Sequence, residues 1–413
     1  MRRIIPYLFL LFVCFSSAGR EVSVRQTVQT ALVDAVRMYS DGDLDSALGI
    51  FRKLHRLDRG DDAVLYYLSL SEYAKGQLDS AFVHMEKAVE ADTTNLWYIY
   101  SLATMCAEKG DASRAASLMG PLLEKRPQSF ANPFTLTLMG DTSLNSYKDS
   151  LALSYYERAL DYDPGYVPAL LGRTEIQRMR GNMPAFFVGL EDLVSSSGTP
   201  VDVKRSYLGA ITERMDSKFY WVWGKKMTEL VDKSVEMHPD DAGLHYLKLQ
   251  YCSISRDTLG IIAQCEEMIR CSENDKENKV KALGILGDTY YARGDRKLAY
   301  RTYDAALKVD PEYIPVLNNY AYFLCEEGSK LKKALKMSAV TVEKEPDNPT
   351  YLDTYGWLLY LLKKPAKAKP YFKHAMIYGG KNSAVVLYHY SKVLEALGEK
   401  DLADYYKMLS ENR

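Results

Sequence analysis

Four small residues, Gly287, Ala321, Gly356 and Ser391, follow one another at steps of 34, 35 and 35 residues. A second set, Ala299, Ala334, Ala368 and Ala403, recurs at steps of 35, 34 and 35, and Pro311 recurs as Pro346 and then as Gly380. Near the other end Ala47, Ala81 and Ala115 are again 34 apart, followed by Ala152 after a step of 37. A period of this length constrains the fold more than any composition does. Each copy is one supersecondary unit that cannot bury its apolar face alone, so copies must stack.

The best-marked copy is Val280 to Pro311. Leu283, Leu286, Gly287 and Tyr290 share one face at helical spacing. Gly294-Asp295 breaks the run: glycine takes φ > 0 at a helix end, and aspartate caps the next helix. Leu298, Ala299, Tyr303 and Ala306 line the second helix, which Asp310-Pro311 closes. Small residues stand where two helices must approach closely, with large ones between them.

These residues resemble the tetratricopeptide repeat (TPR), a 34-residue helix–turn–helix unit. Leu317-Asn-Asn-Tyr-Ala-Tyr and Tyr351-Leu-Asp-Thr-Tyr-Gly-Trp look like exported TPR proteins of Bacteroidetes-type bacteria. The resemblance implies an all-α, right-handed α-α superhelix, a TPR solenoid, and brings no assigned activity with it.

Arg2-Arg3, the apolar run Ile4–Phe15 and Ser16-Ser-Ala18 predict a secretory signal peptide over 1–18, cleaved after Ala18. Cys14 raises a lipoprotein alternative, but a lipobox needs a small residue before the cysteine and Val13 stands there. Residues 24–194 read as about five repeats, with a longer connection from Arg126 to Pro133. Residues 195–279 read as degenerate repeats, with an insertion from Asp216 to Gly224 in a turn that carries Phe219-Tyr-Trp-Val-Trp223. That run is either buried against a neighbouring unit or a docking patch. Residues 280–413 hold four well-defined repeats, the last one capping, which makes eleven units in all.

Lys+Arg 53 against Asp+Glu 54 gives a net charge of −1, which argues against nucleic acid. The cluster Lys363, Lys364, Lys367 and Lys369 reads as a solvated turn and helix face. Histidines 55, 84, 238, 245, 374 and 389 form no metal-binding spacing, and no nucleophile elbow, P-loop or dinucleotide fingerprint occurs, so no metal, cofactor or catalytic residue is expected. Beyond Cys14 there are five cysteines. Cys106 and Cys325 read as packed thiols, and Cys265 with Cys271 or Cys252 is the one plausible bridge. No apolar run beyond the leader is long enough to span a bilayer.

The resemblance also implies which residues face the inner groove. It assigns Tyr66, Tyr67 and Tyr73 in one unit and Trp97 and Tyr100 in the next. In the C-terminal array it assigns Asp288 and Tyr291, then Asn318, Asn319 and Tyr322, then Asp353, Trp357 and Tyr360, then Tyr388, His389 and Lys392. Rings with polar tips suit an extended peptide or a helix; the alternative for each ring is packing between repeats. Asn319 matches the asparagine of a two-carboxylate clamp, but Gly284, Asp288, Thr350 and Thr354 replace its other residues, so that clamp is absent. The expected function is a non-catalytic scaffold that binds a protein or peptide in the cell envelope, in the periplasm or at the outer membrane. The rival is glycan binding by groove aromatics.

Overall fold

A computed structural model describes residues 26–412. The expected leader, its cleavage site and Cys14 lie outside the described residues. Within them every regular element is a helix, and the chain forms two compact units, divided between Thr199 and Pro200.

The N-terminal unit contains five antiparallel helix pairs: α1 (26–40) with α2 (Leu44–Leu57), α3 (Asp62–Ala74) with α4 (Leu78–Ala91), α5 (Leu96–Glu108) with α6 (Ala112–Lys125), and, after a one-turn helix α7 (Pro127–Phe130), α8 (Pro133–Asn145) with α9 (Asp149–Tyr162) and α10 (Val167–Met179) with α11 (Met183–Ser195). The longer connection at 126–133 is therefore α7, whose Phe130 is buried. The C-terminal unit contains six pairs: α12 (Val201–Glu213) with α13 (Ser217–Met237), α14 (Ala242–Ile254) with α15 (Thr258–Cys271), α16 (Lys276–Ala292) with α17 (Arg296–Val309), α18 (Ile314–Glu326) with α19 (Leu331–Lys344), α20 (Pro349–Leu361) with α21 (Pro365–Ile377), and α22 (Ala384–Ala396) with α23 (Lys400–Glu411). A 3₁₀ turn, Gly380–Asn382, leads into α22.

The turns inside the pairs follow one recipe. Except between α12 and α13, a residue with positive φ ends the first helix, and the second begins two or three residues later. Gly42, Gly76, Gly110, Gly181, Gly294, Gly328 and Gly398 take that conformation, and Asp43 and Asp111 accept the N–H of the third residue beyond them. Inside three of the pairs, α8–α9, α16–α17 and α20–α21, the glycine of the first helix receives an aromatic ring from the second. A methyl group on Gly140 would lie 2.5 Å from the Tyr156 ring, and one on Gly287 would collide with Tyr303 in the same way. Phe372 fills the corresponding space over Gly356. These three rings have no exposed surface, and each such burial contributes about 1.5–3 kcal/mol. The repeated alanines Ala47, Ala81, Ala115, Ala152, Ala299, Ala334 and Ala368 are likewise fully buried.

Two expectations are corrected. The insertion at Asp216–Gly224 is not a loop: Asp216 caps α13 by accepting the N–H of Phe219, and the aromatic run forms the first turns of a 21-residue helix. Trp221 is 87% exposed and Val222 51%, whereas Phe219, Tyr220 and Trp223 are half-buried. The second correction concerns the cysteines. All five thiols among the described residues are free. Cys265 and Cys271 lie six residues apart on one helix, a rise of about 9 Å, beyond disulfide reach. Cys265 is fully buried beside Met268, and burial pushes its thiol up to about 12. Cys106 and Cys325 are buried, as packed thiols should be.

Candidate binding surface

In the C-terminal unit the first helices of successive pairs, α16, α18, α20 and α22, are neighbours. The predicted inner-face residues therefore form one row, and the geometry decides what each can do.

At one end of the row is a half-buried carboxylate. Asp288 accepts a hydrogen bond from the Tyr303 hydroxyl at 2.5 Å and from the Asn319 amide at 3.1 and 3.0 Å. Burial holds the Asp288 carboxyl above its usual range, and the two donors oppose that shift. The same group recurs in the N-terminal unit, where Tyr156 donates to Asp141 at 2.6 Å. Asn319 is thus tied to Asp288, one repeat back in the chain. Its neighbour Asn318 is only 6% exposed and donates to the Asn319 side-chain oxygen at 3.4 Å.

Farther along, Asp353 is buried against His389, whose Nδ1 lies 2.9 and 3.1 Å from the two carboxylate oxygens. Trp357 stacks on Tyr360 at 4.7 Å and on His389 at 4.0 Å, both nearly parallel. Tyr388 remains 43% exposed at the end of the row, with Lys392 over its ring. Tyr291 stacks on Phe323 at 3.5 Å, which fixes the next ring position in repeat packing.

Between α18, α20 and the turn before α22 lies a pocket of about 300 Å³. Asn318, Asn319, Tyr322 and Asp353 line it, four of the predicted residues brought to one place. Thr350, Thr354, Ser383 and Val385 complete its polar floor and rim. The last two were not singled out from the sequence. The signal that could have found them is Gly379-Gly380, which stands where other repeats have proline: Gly379 takes φ 103° and turns the chain back over the pocket.

The N-terminal residues behave differently. Tyr66 stacks on Tyr98 of the next repeat at 4.6 Å, and Tyr67 lies 5.8 Å from Phe51, nearly parallel. Both rings are engaged in packing. Tyr73 donates to Glu108 of the next repeat. Tyr100 accepts from Asn132 at 3.2 Å and packs on Phe130. Trp97 is 56% exposed and borders an open depression beside Phe130.

The folded chain also gathers a group that sequence spacing does not disclose. His245, Glu267 and Cys271 bring one ligand-type atom each within 4.8 Å of one another. Each already has a partner. His245 Nε2 and the Cys271 thiol both reach the Pro239 carbonyl, at 2.9 and 3.5 Å, and Glu267 accepts from Arg270 at 2.7 Å. The cluster caps that carbonyl, and these bonds account for all three side chains. The basic cluster is solvated, as expected, except that Lys369 pairs with Glu399 at 2.6 Å.

Paired antiparallel helices, a repeated small-residue-on-aromatic contact and a row of polar and aromatic side chains along the first helices define a helix-hairpin repeat protein. Residues 250–409 match the family model described as tetratricopeptide repeat. The same helix pair repeats before that stretch. A curated relative, the DnaJ protein P58IPK homolog of Arabidopsis thaliana, is 32% identical over 112 residues, which is 27% of this chain and 21% of that protein. The chain therefore matches about a fifth of that relative's length. Among solved structures, yeast Tom70 is 13% identical with a TM-score of 0.37, over 94% of this chain and 92% of that one. The C-terminal part of a TPR repeat-containing protein from Cytophaga hutchinsonii is 16% identical with a TM-score of 0.39, over 68% and 95%. A tetratricopeptide repeat protein from Parabacteroides merdae is 16% identical with a TM-score of 0.34, over 69% and 94%. No helix among the described residues is long and apolar enough to cross a membrane.

Proposed function

We propose that this chain is a non-catalytic scaffold that holds a peptide segment or a partner helix along α18, α20 and α22, and that it works in the cell envelope. The observation that carries the reading is the pocket between these helices, where Asn318, Asn319, Tyr322 and Asp353 converge beside the Trp357–Tyr360 stack. Main-chain groups of an extended segment need amides and hydroxyls at intervals, and the row supplies them on rigid helices. Export rests on the leader pattern in the sequence. Glycan binding is less well supported. A sugar needs an open ring face, whereas Trp357 is stacked by Tyr360 and His389.

The test is crosslinking and capture from the native envelope with the wild type and the double variant Trp357→Ala/Tyr360→Ala. The expected outcome is a protein recovered with the wild type and reduced at least about tenfold with the variant, in line with the weight that buried aromatic anchors carry in interfaces, while circular dichroism keeps its helical signal. A partner that persists with the variant would move the binding surface elsewhere, first to the exposed Trp221 of α13.

A further inference from the structure

From the pocket's chemistry we infer that it receives a lysine or arginine side chain of the bound segment, an inference that rests on the groove reading above. An ionised carboxylate only accepts, so Asp288 makes Asn319 present its NH₂, at 3.1 and 3.0 Å. The Asn319 oxygen is then left to accept, and Asn318 supplies its NH₂ at 3.4 Å. The relay fixes both amides and leaves the Asn318 side-chain oxygen as the terminal group, buried and without a hydrogen-bond partner on the protein. A buried acceptor left unsatisfied destabilises the fold by the desolvation of that group. Only a donor can relieve it, because reversing the amide would set oxygen against oxygen at Asn319.

The rest of the lining agrees in sign. Asp353 is the one formally charged residue among those that line the pocket, and no lysine, arginine or histidine does. His389 covers Asp353 from α22 through a single ring nitrogen, and a carboxylate has about four acceptor positions. Thr354 donates its hydroxyl proton to the Thr350 carbonyl at 3.1 Å, which leaves its oxygen lone pairs to accept. Tyr322 feels the negative charges of both Glu326 and Asp353. Lys381, in the turn before α22, is exposed and does not line the pocket. The volume of about 300 Å³ is at the small end for ligand sites, the scale of a side chain rather than a whole ligand. A cation bearing several N–H groups, flanked by the Tyr322 ring, fits acceptors arranged in this way. This polarity is opposite to that of a carboxylate clamp, whose lysine and arginine positions are Gly284, Thr350 and Thr354 here.

The test is selection of random heptapeptides on the purified mature chain, followed by affinity measurement with synthetic peptides. Three site variants are used: Asp353→Asn, and Val385→Lys and Val385→Glu. Val385 is half-exposed on the rim, so its variants change the field without touching the Asp353–His389 contact. The expected result is selected peptides sharing a lysine or arginine. Norleucine or citrulline at that position should weaken binding at least tenfold. Val385→Lys should weaken it comparably, Val385→Glu should strengthen it, and raised salt should reduce it. Selected peptides that lack a shared basic residue, yet lose binding in Trp357→Ala/Tyr360→Ala, would overturn the inference and leave the groove reading standing. Peptides indifferent to both sets of variants, or no enriched peptide at all, would overturn both.

Discussion

Gly287→Ala tests competing forces at a single residue. Helix propensity alone favours alanine by about 1 kcal/mol. The added methyl would collide with the Tyr303 ring, and overpacking of this kind costs about 1–3 kcal/mol. The second effect wins, because Tyr303 is fully buried and held by Asp288. Urea denaturation should therefore show a net loss of stability. Lys204 makes a second case. It is fully buried, and its ammonium lies 3.2 Å from His238 Nε2. Burial lowers its pKa in the folded state. Between the folded and unfolded pKa values the unfolded chain binds the extra proton, so this group makes stability rise as pH rises through that window. Lys204→Met should raise the melting temperature at neutral pH, and the gain over wild type should shrink as the pH approaches the ordinary lysine value.

Single elements follow the repeat recipe until a residue without a matching signal intervenes. Most turns within the pairs place glycine at positive φ, but Tyr147, Arg256 and Lys363 occupy the same position at φ 58°, 59° and 61°. Tyr147 is 94% exposed and so gives little packing in return. Tyr147→Gly should stabilise the chain by about 0.5–1 kcal/mol, the left-handed penalty less the entropy of glycine, read as a shift in the urea midpoint at constant slope. Helix pairing, turn glycines and cap aspartates were legible in the sequence because each is local. The length of α13 was not. Phe219–Trp223 contains no turn former, and a fixed repeat length made the surplus residues look like an inserted loop, whereas the Asp216 cap lets them extend the helix.

At the scale of the whole molecule, five helix pairs form one compact unit and six the other. Stability in such arrays is a sum of repeat and nearest-neighbour terms. Calorimetry should therefore give a total unfolding enthalpy larger than the van't Hoff value, the sign of a transition that is not all-or-none. Equal enthalpies would show one cooperative block.

The helix-pair unit, its period, the small residues at the close approaches and the helix faces that carry Asn318, Asn319, Tyr322, Asp353 and Trp357 can all be read along the chain. Those properties depend on spacing within one repeat, which the chain carries locally. Which of these side chains remain open to a partner was decided only by the tertiary structure. Tyr66 against Tyr98, Asn319 against Asp288 and His389 against Asp353 are contacts across about one repeat. The pocket also needs the turn at Gly379-Gly380 from the following unit. Periodicity aligns the faces of successive helices, but contact depends on ångström-scale stacking and on rotamers set by neighbours about one repeat away, which no local pattern records.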